Sequence, residues 1–364
     1  MMIPSYNQPW KLVQNRIRGT GGREIDKFRH VHPAVDDGSG SEAWIGSVTR
    51  VGNLPAGNPD YGCSKTILPD GREMYLYEAI ALDPQNILGS RHLSINGESM
   101  GVLVKLLDAQ VQYALQCHPS RTFAKKMWNS PFGKEESWYV IGVRDDTPEP
   151  AYIYLGFKEG VTKADWENFF YNDDIQSLEN LCHRIEVKPG DAYFVDAGCP
   201  HALGAGCFVL EVQEPSDITV LAETYKVVKK KDENITVDEW TYNERLLGAY
   251  IFDGCDYQEN LDKRRVPRNI IRRGDWGDES IVIGPEQTSY FSFTELTVNT
   301  EAALRDTMFP QIAVVMDGNG KIAYDGGEFE FKKADEIFLP YSIPNARVIG
   351  ESRIILCHPP GVEY

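Results

Sequence analysis

Along most of the chain, short runs rich in Val, Ile, Tyr and Phe alternate with Gly, Pro and Asp, as over 187–195 and 290–298. β-Branched and aromatic residues suit a pleated, half-buried surface, and the turn formers close each run before a helix can propagate. The pattern predicts a mainly β protein. Two stretches depart from it. Over 162–182, Thr162 stands at a capping position and Trp166, Phe169 and Phe170 fall at helical spacing; over 236–250, Trp240, Leu246 and Leu247 sit among charged residues. Both are expected to be helices, the second near a domain junction. The sequence MDGNG at 316–320 reads as a hairpin turn.

The pattern also repeats. KPGDAYFVDAGCPHA at 188–202 aligns without gaps with KKADEIFLPYSIPNA at 332–346, matching Lys, Asp, Phe, Pro and Ala around a shared apolar run. Two copies of one β-barrel are the simplest source. Each copy has a polar turn, a strand, a second tight turn and then a polar residue, which is His201 in the first copy and Asn345 in the second. Only the first copy is equipped for a metal. The expected division is a metal-binding domain over 1–225 with a helical insertion at 162–182, a helical connector over 226–264, and a second, metal-free domain over 265–364.

Composition narrows the choice of partner. At 364 residues and 42% hydrophobic content, the chain can bury the cores of two domains unaided. Its formal charge of -17 repels nucleic acid and anionic membrane surfaces, which leaves a small molecule as the expected partner. The basic run at 229–231 reads as a solvated turn. Cys63, Cys117, Cys182, Cys199, Cys207, Cys255 and Cys357 are odd in number and form no CxxC pair, which fits reduced thiols in a cytoplasmic protein. Neither a signal peptide nor a membrane span is expected, because no basic-then-apolar leader and no long apolar window is visible.

Strand alternation in QVQYALQCHP places Gln112, Ala114, Gln116 and His118 on one face, and Val111, Tyr113, Leu115 and Cys117 on the other. One face is polar and the other is core. Buried amides and imidazoles are costly without hydrogen bonds or a metal, so the polar face calls for a partner. GKEESWYVIG adds Lys134, Glu136 and Trp138 on a common face; GCPHALGAG presents His201 after a Gly-Cys-Pro turn; CFVLEVQ aligns Cys207, Val209, Glu211 and Gln213. Gln116, His118, Glu136 and His201 together make a mixed nitrogen and oxygen shell for one divalent metal, Zn²⁺ first, with Mn²⁺, Fe²⁺, Co²⁺ or Ni²⁺ also suited. The absence of thiolate ligands favours an open, reactive site. His30 and His32 form a rival pair in what reads as a loop, and His92, His183 and His358 lack acidic or amide companions at ligand spacing.

These residues resemble the type I mannose-6-phosphate isomerases, zinc-dependent proteins of two cupin (jelly-roll) barrels with short helical insertions. The resemblance rests on EAWIG at 42–46, QCHP at 116–119, GKEESWYVIG at 133–142, LGFKEGVT at 155–162 and the run from KPGD to EPSD over 188–217. It implies Gln116, His118, Glu136 and His201 as metal ligands and Lys134 and Glu211 as active-site residues. It implies further that a proton moves between C1 and C2 of an open-chain sugar or sugar phosphate through a cis-enediol. Two positions depart from the family pattern. Ala114 stands where the family carries a phosphate-holding serine, and Leu221 where it carries an arginine. Three readings follow: a phosphomannose isomerase in which another cation, such as Lys125 or Lys226, replaces the arginine; an isomerase of an unphosphorylated or different sugar; and a metal-containing cupin that binds sugar without turning it over. A cupin oxygenase is disfavoured, since its usual iron shell is richer in histidine.

Overall fold

Strands form where the alternation predicts them: the two sample runs give Ala192–Val195 and Ser292–Val298. The computed structural model describes residues 6–32, 37–38, 40–52, 57–222 and 246–364. Strand accounts for 36% and helix for 17%, in antiparallel sheets of jelly-roll type, none of which closes into a complete barrel among the described residues. The chain forms two compact units, one of Asp108–Leu210 and Ser216–Val266, the other of Met1–Leu107, Glu211–Pro215 and Pro267–Tyr364.

In the first of these units, one sheet orders the strands Val220–Leu221, Gln116–Cys117, His201–Leu203, Tyr152–Phe157 and Cys182–Glu186, and Ala192–Val195 pairs separately with Glu136–Val143. The predicted 162–182 helix is two short ones, Lys163–Phe170 and Ile175–Asn180. Thr162 caps the first as expected: its hydroxyl accepts from Asp165 N at 3.3 Å while the Asp165 carboxylate accepts from Thr162 N at 2.9 Å. The helical spacing turns Trp166 and Phe170 inward, with Trp166 5.1 Å from Phe157 and 5.0 Å from Tyr250, ring to ring. Leu115 and Cys117 belong to the same apolar core. The predicted 236–250 helix lies outside the described residues up to 245, as do Lys226 and the basic run 229–231.

The second unit departs from the expected division. The strand Trp10–Val13 pairs with Glu336–Leu339, bringing Trp10 opposite Phe338, and with Lys65–Ile67. The unit that holds the last hundred residues therefore also takes in Trp10–Val13 and Lys65–Ile67, in place of the single domain expected over 1–225. Burial explains the pairing. Trp10 is 1% exposed with its ring 5.1 Å from that of Phe338, and the buried Arg29 donates through Nε to Glu336 Oε1 at 3.1 Å. The MDGNG segment is also a correction, because it lies inside the 14-residue strand Gln311–Tyr324. Its glycines serve close approach of backbones: a Cβ at Gly318 would lie 2.1 Å from Glu351 O, and one at Gly320 2.2 Å from Ile349 O. The register shifts between Val315 and Asp317, and the hairpin closes later, at Tyr324 and Gly327.

Candidate metal centre

Gln116 begins a two-residue strand, much shorter than the alternation suggested, and Val111 of the expected core face is exposed. At 115–118 the alternation nevertheless holds. Leu115 and Cys117 enter the core while Gln116 and His118 turn toward His201, which pairs directly with Gln116 across the sheet. Glu136 opens the next strand opposite Val195, and Lys134 precedes it with its N–H bonded to Pro119 O at 3.0 Å. His201 begins its own strand after the turn from Val195.

Three ligand atoms converge. His118 Nε2 lies 3.2 Å from His201 Nε2 and 3.0 Å from Glu136 Oε2, and Glu136 Oε1 lies 3.4 Å from His201 Nε2. All three side chains are at most 1% exposed. Each imidazole has its other nitrogen on a backbone carbonyl, His118 Nδ1 on Ile218 O at 3.2 Å and His201 Nδ1 on Cys199 O at 2.9 Å. Those contacts select the tautomer with the proton on Nδ1 and leave both Nε2 lone pairs facing inward. Gln116 Nε2 is 3.4 Å from His201 Nε2, and a half-turn of the amide presents its oxygen instead.

The electrostatics suit a cation. Burial raises the Glu136 carboxyl, but the Lys134 ammonium and the two imidazoles outweigh it and hold the group well below the usual carboxylate range. Burial, aided by Lys134, pushes His118 down to about 3, and burial lowers His201. The cluster thus contains a carboxylate and two neutral imidazoles at neutral pH. Lys134 Nζ donates to Glu136 Oε2 at 2.7 Å and to His118 Nε2 at 2.5 Å. Glu136 Oε1 is buried and finds no hydrogen-bond partner among the described residues. A buried carboxylate oxygen without a donor is expensive, and a divalent ion on this donor set would satisfy it.

Glu211 lies in the other unit, on the strand Cys207–Gln213. Its Oε1 accepts from Lys105 Nζ at 2.8 Å, both side chains being 5% exposed. Lys105 is a partner of Glu211 that strand alternation did not single out. The signal was present, since a lysine inside the uniformly buried run Leu103–Asp108 requires a partner. Leu221 pairs with Gln116, so the position of the missing arginine is beside a candidate ligand, and Lys125 is spent on an exposed bond to Asn129 Oδ1 at 2.6 Å. Four other histidines are satisfied or outlying: His30 and His32 are exposed, His92 Nε2 contacts Ser99 O at 2.7 Å and His183 Nε2 contacts Cys255 O at 2.9 Å. All seven cysteines are buried free thiols.

A sequence model of the mannose-6-phosphate isomerase cupin domain matches residues 283–359. Mannose-6-phosphate isomerase ManA of Bacillus subtilis (strain 168) is 26% identical over 270 residues, covering 74% of this chain and 78% of its own. The chain is similar in sequence to the mannose-6-phosphate isomerases. The fold is shared along almost the whole length. A crystal structure of the Bacillus subtilis mannose 6-phosphate isomerase superposes with a TM-score of 0.72 at 23% identity, covering 96% of this chain and 99% of that one. A mannose 6-phosphate isomerase bound with zinc and yttrium gives 0.70 at 14% identity, covering 97% and 99%. No helix among the described residues is long and apolar enough to cross a membrane.

Proposed function

We propose that the protein is a metal-dependent isomerase that interconverts mannose 6-phosphate and fructose 6-phosphate in the cytoplasm. The observation that carries this reading is the buried group of His118, Glu136 and His201, with its unpartnered carboxylate oxygen and the Lys134 ammonium beside it. Gln116, His118, Glu136 and His201 would hold one zinc or similar ion, which polarises the oxygens of the bound sugar and favours charge on them. The chain's own groups then move the proton. Glu211, held by its ion pair to Lys105, takes the proton from C2 of the open-chain aldose and returns it to C1. Lys134 donates to the sugar oxygen on which negative charge develops, O1 gains a proton and O2 loses one as the ketose carbonyl forms.

Leu221 and Ala114 support a second reading, an isomerase of an unphosphorylated sugar, since a guanidinium and a hydroxyl suited to phosphate are replaced by apolar groups. Turnover of mannose 6-phosphate beside free mannose, by purified protein loaded with Zn²⁺ or Mn²⁺, decides between them. Ketose formation from the phosphosugar alone supports the first reading. Ketose from mannose alone supports the second, and bound metal with no ketose from either would remove both.

A further inference from the structure

The turn that presents His201 is held by two buried side chains of one helix. Tyr257–Arg264 is capped by Asp256, and Asn260 and Arg264, one turn apart near its end, are at most 1% exposed. Arg264 grips both oxygens of the Asp196 carboxylate, Nε to Oδ1 at 2.9 Å and Nη2 to Oδ2 at 3.2 Å, while Nη1 donates to Asn260 Oδ1 at 2.7 Å. Asn260 Nδ2 donates in turn to Leu155 O at 3.0 Å, and Leu155 is the residue paired with His201 across the sheet. Asp196 opens the turn. Its carbonyl accepts from Cys199 N at 3.2 Å, and the Cys199 carbonyl is the one that fixes His201 Nδ1. In the same turn, Gly198 N donates to His118 O at 2.7 Å. One guanidinium is therefore linked by short covalent and hydrogen-bonded paths to both imidazoles.

Close packing leaves this link little freedom. Gly156 has φ +82°, and a Cβ on it would stand 2.3 Å from Asn260 Oδ1 and 3.1 Å from Arg264 Nη1. Burying an arginine with its carboxylate yields little net stability, because desolvation offsets much of the attraction; what the bidentate grip supplies is orientation. The internal repeat isolates the same feature. The second copy carries Pro340 where Asp196 stands and Asn345 where His201 stands, so the ion-paired turn accompanies the histidine.

We propose that Arg264, acting through Asp196, is the positioning residue that aims His201 and His118 at the metal, with Asn260 completing the hold from the Leu155 side. The proposal rests on the metal reading of the cluster. It is tested by Zn²⁺ affinity, measured by chelator competition, and by the visible spectrum of the Co²⁺-loaded protein, for wild type, Arg264→Met, Asp196→Asn, Arg264→Lys and, as control, Lys263→Met. Partners outside the ligand set typically carry about tenfold to hundredfold of metal affinity. Arg264→Met and Asp196→Asn should lose that much and change the Co²⁺ spectrum at temperatures where circular dichroism shows the metal-free protein folded. Arg264→Lys should recover part of the loss. Lys263, which also reaches the Asp196 carboxylate but is 45% exposed, should matter little. If Arg264→Met fails to fold, Asp196→Asn decides, because Asp196 is partly exposed and its amide still offers Arg264 an oxygen. Wild-type affinity and spectrum in the folded variants, with only a lower melting temperature, would reduce the pair to a brace and overturn the proposal. A wild type that binds no Zn²⁺ overturns it differently, by removing the metal reading itself.

Discussion

Residues 188–202 and 332–346 follow the same course and end in different chemistry. Both run from a polar turn through a short strand, Ala192–Val195 in one and Glu336–Leu339 in the other, into a second turn. In the first copy the turn delivers His201, fully buried, to His118 and Glu136. In the second it delivers Asn345 at φ 52°, exposed, with its amide donating to Asp325 Oδ2 at 2.6 Å. The second unit does hold a buried imidazole: His358 is 0% exposed and neither ring nitrogen has a partner among the described residues. A buried histidine is thus not sufficient. Among the described residues, only His118, Glu136 and His201 bring three potential ligand atoms within reach of one another. The scaffold tolerates either outcome, and a few inward side chains decide which one occurs.

The most severe way to break the difference is His118→Ala, expected to abolish stoichiometric metal binding as read by elemental analysis after gel filtration; retained metal would refute the ligand assignment. Lys134→Ala should leave the metal bound and lower kcat by roughly 10²–10³-fold, the usual scale for one lost donor to a developing negative charge. Leu221→Arg sharpens the comparison from the substrate side. A new charge-assisted bond of about 1.5–3 kcal/mol should raise kcat/KM for mannose 6-phosphate by roughly tenfold to a hundredfold, and unchanged kinetics would favour an unphosphorylated sugar.

The effect of His358 is on stability. Burial, with a smaller contribution from Arg305, holds it near pKa 3 against an ordinary 6.5, so in acid the unfolded chain takes a proton that the folded chain refuses. Its contribution is complete above pH 6.5 and is lost as the pH falls toward 3, by up to about 1.4 kcal/mol per pH unit. His358→Gln should make the decline in urea midpoint between pH 6.5 and 4.5 shallower, and an unaltered slope would contradict this account. Smallest of all, Asn345→His should leave metal stoichiometry at the wild-type value, because Asp325 adds one carboxylate to it and a zinc site takes at least three protein ligands.

Much of the centre was legible in the sequence, because its signals are local. The alternation around Gln116 and His118, the Lys134 and Glu136 pair on one face and the Thr162 cap all follow from backbone periods of a few residues. The same alternation overreached at Val111, where the strand ends early and solvent reaches a side chain expected in the core. MDGNG misled for a related reason: glycine serves a tight turn and a close crossing of strands equally well, and only the neighbouring backbone shows which.

Long-range choices were a different matter. That Trp10 finds Phe338, that Lys105 meets Glu211 and that Arg264 reaches Asp196 depends on which surfaces are left to bury once local elements have formed. By itself, the sequence determined a mainly β chain with an internal repeat and one set of candidate metal-ligating side chains, since side-chain type and spacing suffice for that. Only the tertiary structure decided how the chain divides into units and which buried charges pair, because those follow from competition among distant contacts that leave no periodic trace along the chain.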